Sequence, residues 1–270
     1  MLIVALAGCS VFSKKVDPLD TLPVDQLYER GKTSIDRGNY DVAARTFQRL
    51  TSRFPFGAYS EQSQLDLAYA QYKMNKPDDA YSTANRFIKT YPTHKHVDYA
   101  YYLRGLINFD REEGLLERYV GLDMTTRDQS YLQQSFEDFG ALIKRYPQSL
   151  YAADARQRMV HLRNGMAQSE LNVALYYLRR GAYVGAVNRA QHVLETYDRT
   201  PQASDALAVM AESYKKLGQD ALAQDSERVL KLNHPNHPYF SGDWPQWRST
   251  FWKLVPLTNR GAKPTPSNTR

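Results

Sequence analysis

Only one of the 270 residues is a cysteine, Cys9. A lone thiol excludes an internal disulfide, a thiolate zinc cluster and a C-x-x-C redox pair. Long hydrophobic runs are missing too. No stretch approaches the roughly 18 apolar residues that a spanning helix needs, and a mean hydropathy of −0.61 describes a folded body that dissolves in water. Glycine (14) and proline (13) are too sparse for a collagenous, elastin-like or wholly disordered chain. What remains is ordinary globular composition, 42% hydrophobic and 24% charged, with enough length to bury a core.

Catalytic signatures are also lacking. The sequence holds no P-loop, no G-x-S-x-G elbow and no dinucleotide fingerprint, and its carboxylates are scattered as on solvated helix faces. Of six histidines, His94/His96 and His234/His237 form close pairs. Neither pair has i, i+4 spacing and neither has a nearby thiolate, so no metal site is expected. The formal charge of +6 is concentrated near the end of the chain, where Arg248, Lys253, Arg260, Lys263 and Arg270 face only Asp243. A nucleic-acid binder would instead gather cations on one face of its folded domain, so no nucleic-acid partner is expected. The sequence therefore reads as a binding protein rather than an enzyme, with no cofactor beyond a covalent lipid.

That lipid is suggested by the amino end. Residues 1–8, MLIVALAG, form a short apolar run closing on small residues directly before Cys9, the pattern of a signal-peptide remnant whose basic leader is missing. The expectation is that the true translation start lies upstream. Leu6-Ala7-Gly8-Cys9 resembles the lipobox of bacterial lipoproteins, in which the cysteine is acylated at sulfur and at its new amino group. Several acyl chains, at about 0.8 kcal/mol per buried CH₂, hold far more firmly than a single myristoyl group. Ser10 after the cysteine matches the outer-membrane sorting preference of that class. Residues 9–23, with two prolines and mixed charge, then read as a lipidated tether.

Residues 24–235 repeat. One unit carries Gly31, Gly38, Tyr40, Ala43, Phe47 and Pro55. The next carries Ala68, Ala80, Phe87 and Pro92. A third has Gly105, Phe136, Phe139, Leu142 and Pro147, with an insertion over about residues 110–129 between its helices. The fourth has Ala174, Tyr177, Gly181, Tyr183, Ala186 and Ala190, with Asp198 where proline is expected, and the fifth has Ala211, Gly218, Ala223, Leu230 and Pro235. Small residues allow paired helices to approach, large aromatics fill the space between them, glycine turns the hairpin and proline ends it. This is the tetratricopeptide pattern. The fold class is all-α, an α-solenoid of about five helical hairpins with a concave groove lined mainly by each unit's first helix.

Several segments are more specific. Arg53-Phe54-Pro55-Phe56-Gly57-Ala58-Tyr59-Ser60 followed by Gln64 to Ala70 closely resembles the first inter-repeat turn and following helix of the BamD family, lipoproteins of the outer-membrane β-barrel assembly machine. Pro92-Thr93-His94, Arg104-Gly105-Leu106, Arg127-Asp128 and the stretch from Gly181 to Arg189 recur there in the same order. The resemblance covers roughly residues 6–232. It implies a scaffold in the inner leaflet of the outer membrane, facing the periplasm, that binds the POTRA region of BamA alongside other β-barrel assembly lipoproteins. It also implies reception of the targeting signals of unfolded outer-membrane proteins by the first repeats. Phe54, Phe56 and Tyr59, in a turn stiffened by Pro55, suit an aromatic-ended extended peptide; equally, they could only staple the first repeat to the second. Arg189 matches the family's POTRA contact, and Gly185, Ala186, His192 and Val193 around it offer no carboxylate on its own helix. It is either free to pair outward or simply solvated. A pilotin-type tetratricopeptide lipoprotein, escorting a secretin, is the alternative, although it would not be expected to share these segments.

Residues 236–270 extend past the last repeat and contain all three tryptophans, Trp244, Trp247 and Trp252. Asp243 and Gln246 have capping-box spacing. A helix over residues 244–255 would place Trp244, Trp247, Phe251, Leu254 and Val255 on one face. Such a helix either caps the end of the solenoid or docks on a partner or lipid, and residues 261–270 read as disordered.

Overall fold

The structure is a computed structural model, which describes residues 18–111 and 129–245. Each expected hairpin is present. The helices are α1 (Val24–Asp36) and α2 (Tyr40–Arg53), α3 (Ala58–Lys73) and α4 (Pro77–Thr90), α5 (Val97–Phe109) and α6 (Gln129–Arg145), α7 (Ala152–Arg179) and α8 (Tyr183–Thr196), and α9 (Gln202–Lys216) and α10 (Asp220–Asn233). No strand occurs among the described residues. The inserted segment of the third hairpin, residues 112–128, lies outside them. Contacts divide the chain into two compact units, residues 1–166 and 167–270.

Turn chemistry sets the hairpin period. The chain must enter the left-handed region to reverse between paired helices, and it does so at Gly38 (φ 74°), Gly181 (φ 76°) and Gly218 (φ 72°). The second hairpin uses Asn75 (φ 55°), the side chain that best tolerates this conformation after glycine. Pro55, Pro92 and Pro147 each follow two residues after α2, α4 and α6 end, where a residue lacking an N–H can no longer extend the helix.

In the first unit, the fully buried rings of Phe47, Phe87 and Phe139 stand on α2, α4 and α6. Phe47 packs with Ala43, Ala44, Leu67 and Ala70. Ala68, Ala80, Ala84, Leu103 and Ile107 form a second cluster shared by α3, α4 and α5. Each buried ring contributes about 1.5–3 kcal/mol relative to exposure. In the second unit, Leu171, Ala174 and Leu178 of α7 meet Ala186, Ala190 and Val193 of α8 and Ala206 and Val209 of α9.

Two features differ from the sequence expectation. α7 is a single helix of 28 residues, twice the length of its hairpin partner α8. No proline falls between Pro147 and Pro201, and Gly165 alone, at about 1 kcal/mol, is too weak a breaker to stop it. The tether does not run free as far as residue 23. Pro18–Asp20 forms a 3-10 turn, Arg53 donates hydrogen bonds of 2.7 Å to the carbonyls of both Leu19 and Leu22, and Arg49 meets Asp20 at 3.0 Å.

Candidate functional site

The aromatic turn between α2 and α3 separates the three residues expected to act together. Phe54, closing α2, is half-buried with the Arg53 guanidinium 4.9 Å above its ring. Phe56 is 89% exposed. Tyr59, in the first turn of α3, is 43% exposed and leans on Tyr28 of α1 with ring centroids 5.3 Å apart. Phe54 is therefore partly covered and Phe56 presents a bare ring, while Tyr59 forms one edge of a groove.

That groove holds about 420 Å³ and is walled by Tyr28, Lys32, Tyr59, Gln62 and the loop His94-Lys95-His96. α1 contributes Tyr28 and Lys32, one turn apart on one face. α3 contributes Tyr59 and Gln62, and the loop after α4 closes the far side. His94 is half-buried against Phe87, edge to face at 5.1 Å, and burial lowers its pKa so that the neutral ring is favoured. Gln62 donates at 3.2 Å to the buried carboxylate of Asp66, whose second oxygen lies 3.9 Å from the Lys32 ammonium. Burial raises the Asp66 pKa despite Lys32. Burial and then the Asp66 charge push the Tyr28 hydroxyl far above its usual range, so it remains a donor. The site thus combines aromatic edges with exposed cationic and imidazole groups. It can take an aromatic, anionic segment of extended polypeptide. Lys32, Lys95 and Gln62 were not singled out in the sequence, because only the hairpin geometry brings residues 28, 59 and 94 to one wall.

Arg189 already has a partner within the chain. It lies on α8 and donates at 3.0 Å to Glu170 on α7. No carboxylate lies three or four residues from it on α8, as expected, but the preceding helix supplies one. The Arg189 side chain remains 46% exposed, so the pair is solvent-screened and worth at most about 1 kcal/mol. Glu170 fixes its direction.

Beyond α10, Pro238–Ser241 forms a second 3-10 turn and Trp244 follows in irregular backbone rather than opening a helix. The indole N–H donates at 2.5 Å to Asp205 of α9, and the ring packs on the cluster of the second unit. Burial raises the Tyr239 hydroxyl to about 12, and this hydroxyl donates at 2.7 Å to Glu227 of α10, which also pairs with Lys215 of α9. Residues 246–255 of the expected helix, with Trp247 and Trp252, lie outside the described residues, as does Cys9. No described helix is long and apolar enough to cross a membrane.

Known proteins resemble this chain in sequence over most of its length. The "Outer membrane protein assembly factor BamD" of Xylella fastidiosa strain 9a5c is 44% identical over 262 residues, covering 97% of this chain and 89% of the relative. The protein of the same name from Neisseria meningitidis strain Z2491 is 37% identical over 256 residues, 92% of this chain and 95% of that one. The Vibrio cholerae protein of that name is 37% identical over 228 residues, 84% and 93% of the two chains. Among solved structures, a thermophilic tetratricopeptide protein of Thermus thermophilus aligns with 81% of this chain and 98% of its own at 17% identity and a TM-score of 0.35. Residues 20–230 match the family YfiO, described as outer membrane lipoprotein, and the chain belongs to that family.

Proposed function

We propose that the protein is a non-catalytic scaffold of the outer-membrane β-barrel assembly complex. It is anchored by lipid on Cys9 in the inner leaflet of the outer membrane and faces the periplasm. Relatives that carry the name of assembly factor BamD over nearly the whole chain support this reading. The first unit receives unfolded outer-membrane proteins at Phe56, Tyr59 and the cationic groove beside them. The second unit holds the POTRA region of BamA through the surface around Arg189, and other assembly lipoproteins complete the complex.

The observation that carries the receptor role is the nearly complete exposure of the Phe56 ring beside a groove edged by Tyr28 and Tyr59. An aromatic ring left in water at a stiff turn gains most when another chain covers it. Affinity purification of the anchored protein from cell envelopes, followed by identification of what accompanies it, tests the assignment. BamA and unfolded barrel proteins are expected. A secretin without BamA would replace the reading with the pilotin one, and release into the soluble fraction with Cys9→Ala is expected if the anchor is lipid.

A further inference from the structure

The second unit contains a cavity of about 420 Å³ that the receptor and BamA roles leave unused. It lies between α7 and α9, the first helices of the fourth and fifth hairpins. Leu171 and Leu175 form its apolar floor, Gln168 and Asn172 its polar side, and Asp205, His237 and Trp244 its mouth. Two features bear on what it could hold.

The first is a directed row of amides. Gln202 donates to Gln168 at 3.0 Å and Gln168 donates to Asn172 at 2.9 Å. Each amide engages the next, and Asn172 ends the row on the wall of the groove. A backbone carbonyl of an extended segment is the natural acceptor for such a group.

The second is what already sits there. The chain leaves α10, turns through Pro238–Ser241 and returns over this groove, laying Trp244 and Pro245 on its edge. Trp244 is held by the 2.5 Å bond to Asp205 and by edge-on contact with Tyr239 at 5.7 Å. The same Asp205 oxygen lies 3.3 Å from Nε2 of His237. The seat is thus one carboxylate on an exposed rim above an apolar floor, with room left beside the ring.

We propose that the groove between α7 and α9 is a second peptide-binding site, partly occupied in cis by the chain's own Trp244–Pro245 segment. Its ligand in trans is an extended partner segment bearing a tryptophan, whose indole N–H takes the Asp205 carboxylate while its backbone takes Asn172. The tail is then an internal competitor rather than a fixed cap.

A fluorescein-labelled peptide with the sequence of residues 238–252, added to the full-length chain, tests this by fluorescence anisotropy. Trp244→Ala in the protein should raise the peptide's apparent affinity roughly tenfold or more, because an occupied site binds only in proportion to its vacant fraction. Adding Asp205→Asn to that protein, or placing alanine at the Trp244 position of the peptide, should remove most of the gain. Equal, weak binding to the wild-type and Trp244→Ala proteins overturns the proposal. Trp244→Phe keeps a ring but loses the donor, and it decides the matter if the alanine variant does not fold. An intermediate gain in affinity supports displacement. Loss of cooperative melting in both variants overturns it, since the segment would then be part of the core.

Discussion

Gly31 of α1 lies against the Phe47 ring of α2 so closely that a Cβ at position 31 would sit 2.4 Å from the ring edge. The same relation recurs in the third hairpin, where a Cβ on Gly105 would meet Phe139 at 2.6 Å. In both places the missing side chain lets a buried aromatic ring lie flat between paired helices. Gly31→Ala gains about 1 kcal/mol of helix propensity, but it forces a buried ring off its seat at a cost of about 1–3 kcal/mol. A net loss of stability is expected for Gly31→Ala and for Gly105→Ala, read as a lower urea midpoint. Phe47→Leu combined with Gly31→Ala should recover part of it, and simple additivity of the two losses would show that the contact does not limit packing.

These glycines were legible in the sequence because the repeat aligns each with a large aromatic half a hairpin later. The turn glycines and closing prolines were legible for the same reason, since their constraints act locally, whereas Asn75 carries no such local mark. The groove at Tyr28, Tyr59 and His94 was not. Its walls come from three elements, and no local rule reports which side chains share a wall. Arg189 shows the limit most clearly. No carboxylate stands within one turn of it on α8, and its partner Glu170 stands 19 residues earlier on the adjacent helix. Trp244 likewise had helical spacing in its favour, and tertiary contact with Asp205 decided its place instead.

Asp138 should make the first unit less stable as pH rises from about 4 to above 6. Asp138 of α6 is almost sealed, with its side chain 2% exposed and the Arg104 guanidinium 2.7 Å away. Burial pushes its carboxyl up to about 6, outweighing the opposite pull of Arg104. A carboxyl with a folded pKa above its unfolded value of about 4 binds its proton more tightly when folded, so its contribution is complete below pH 4 and lost through pH 6. Asp66, also raised by burial, adds to the same slope. Asp138→Asn should flatten the dependence of the urea midpoint on pH between 4.5 and 7. A variant with the wild-type slope would remove Asp138 as its source.

Phe56→Ser should leave the fold intact. The ring is 89% exposed, and surface substitutions of this kind usually shift stability by no more than about 0.5 kcal/mol. Binding of an unfolded barrel segment ending in an aromatic residue should nevertheless weaken by at least roughly fivefold, since an aromatic anchor at an interface is worth about 1 kcal/mol or more. Tyr59→Ser should reduce both, because Tyr59 also supports Tyr28. If Phe56→Ser bound such a peptide as the wild type does by anisotropy, the turn would be only a staple.

A charge swap separates the two roles left to Arg189. Arg189→Glu puts two carboxylates where one ion pair stood, and binding to the POTRA region of BamA should fall whether Arg189 touches the partner or only orients Glu170. Glu170→Arg in the same chain restores an intramolecular pair of reversed polarity. If Arg189 reaches the partner itself, the double variant stays weak, because the guanidinium now projects from α7 rather than α8 and meets the partner's carboxylate from the wrong place. Recovery in the double variant would instead make the pair a local brace. Arg189→Glu alone and Glu170→Arg alone should each melt within a few degrees of the wild type, because a half-exposed pair contributes at most about 1 kcal/mol to the fold. Titration of each purified variant against the isolated POTRA region measures the difference. We expect the double variant to bind no better than Arg189→Glu alone, which would place the contact on the guanidinium.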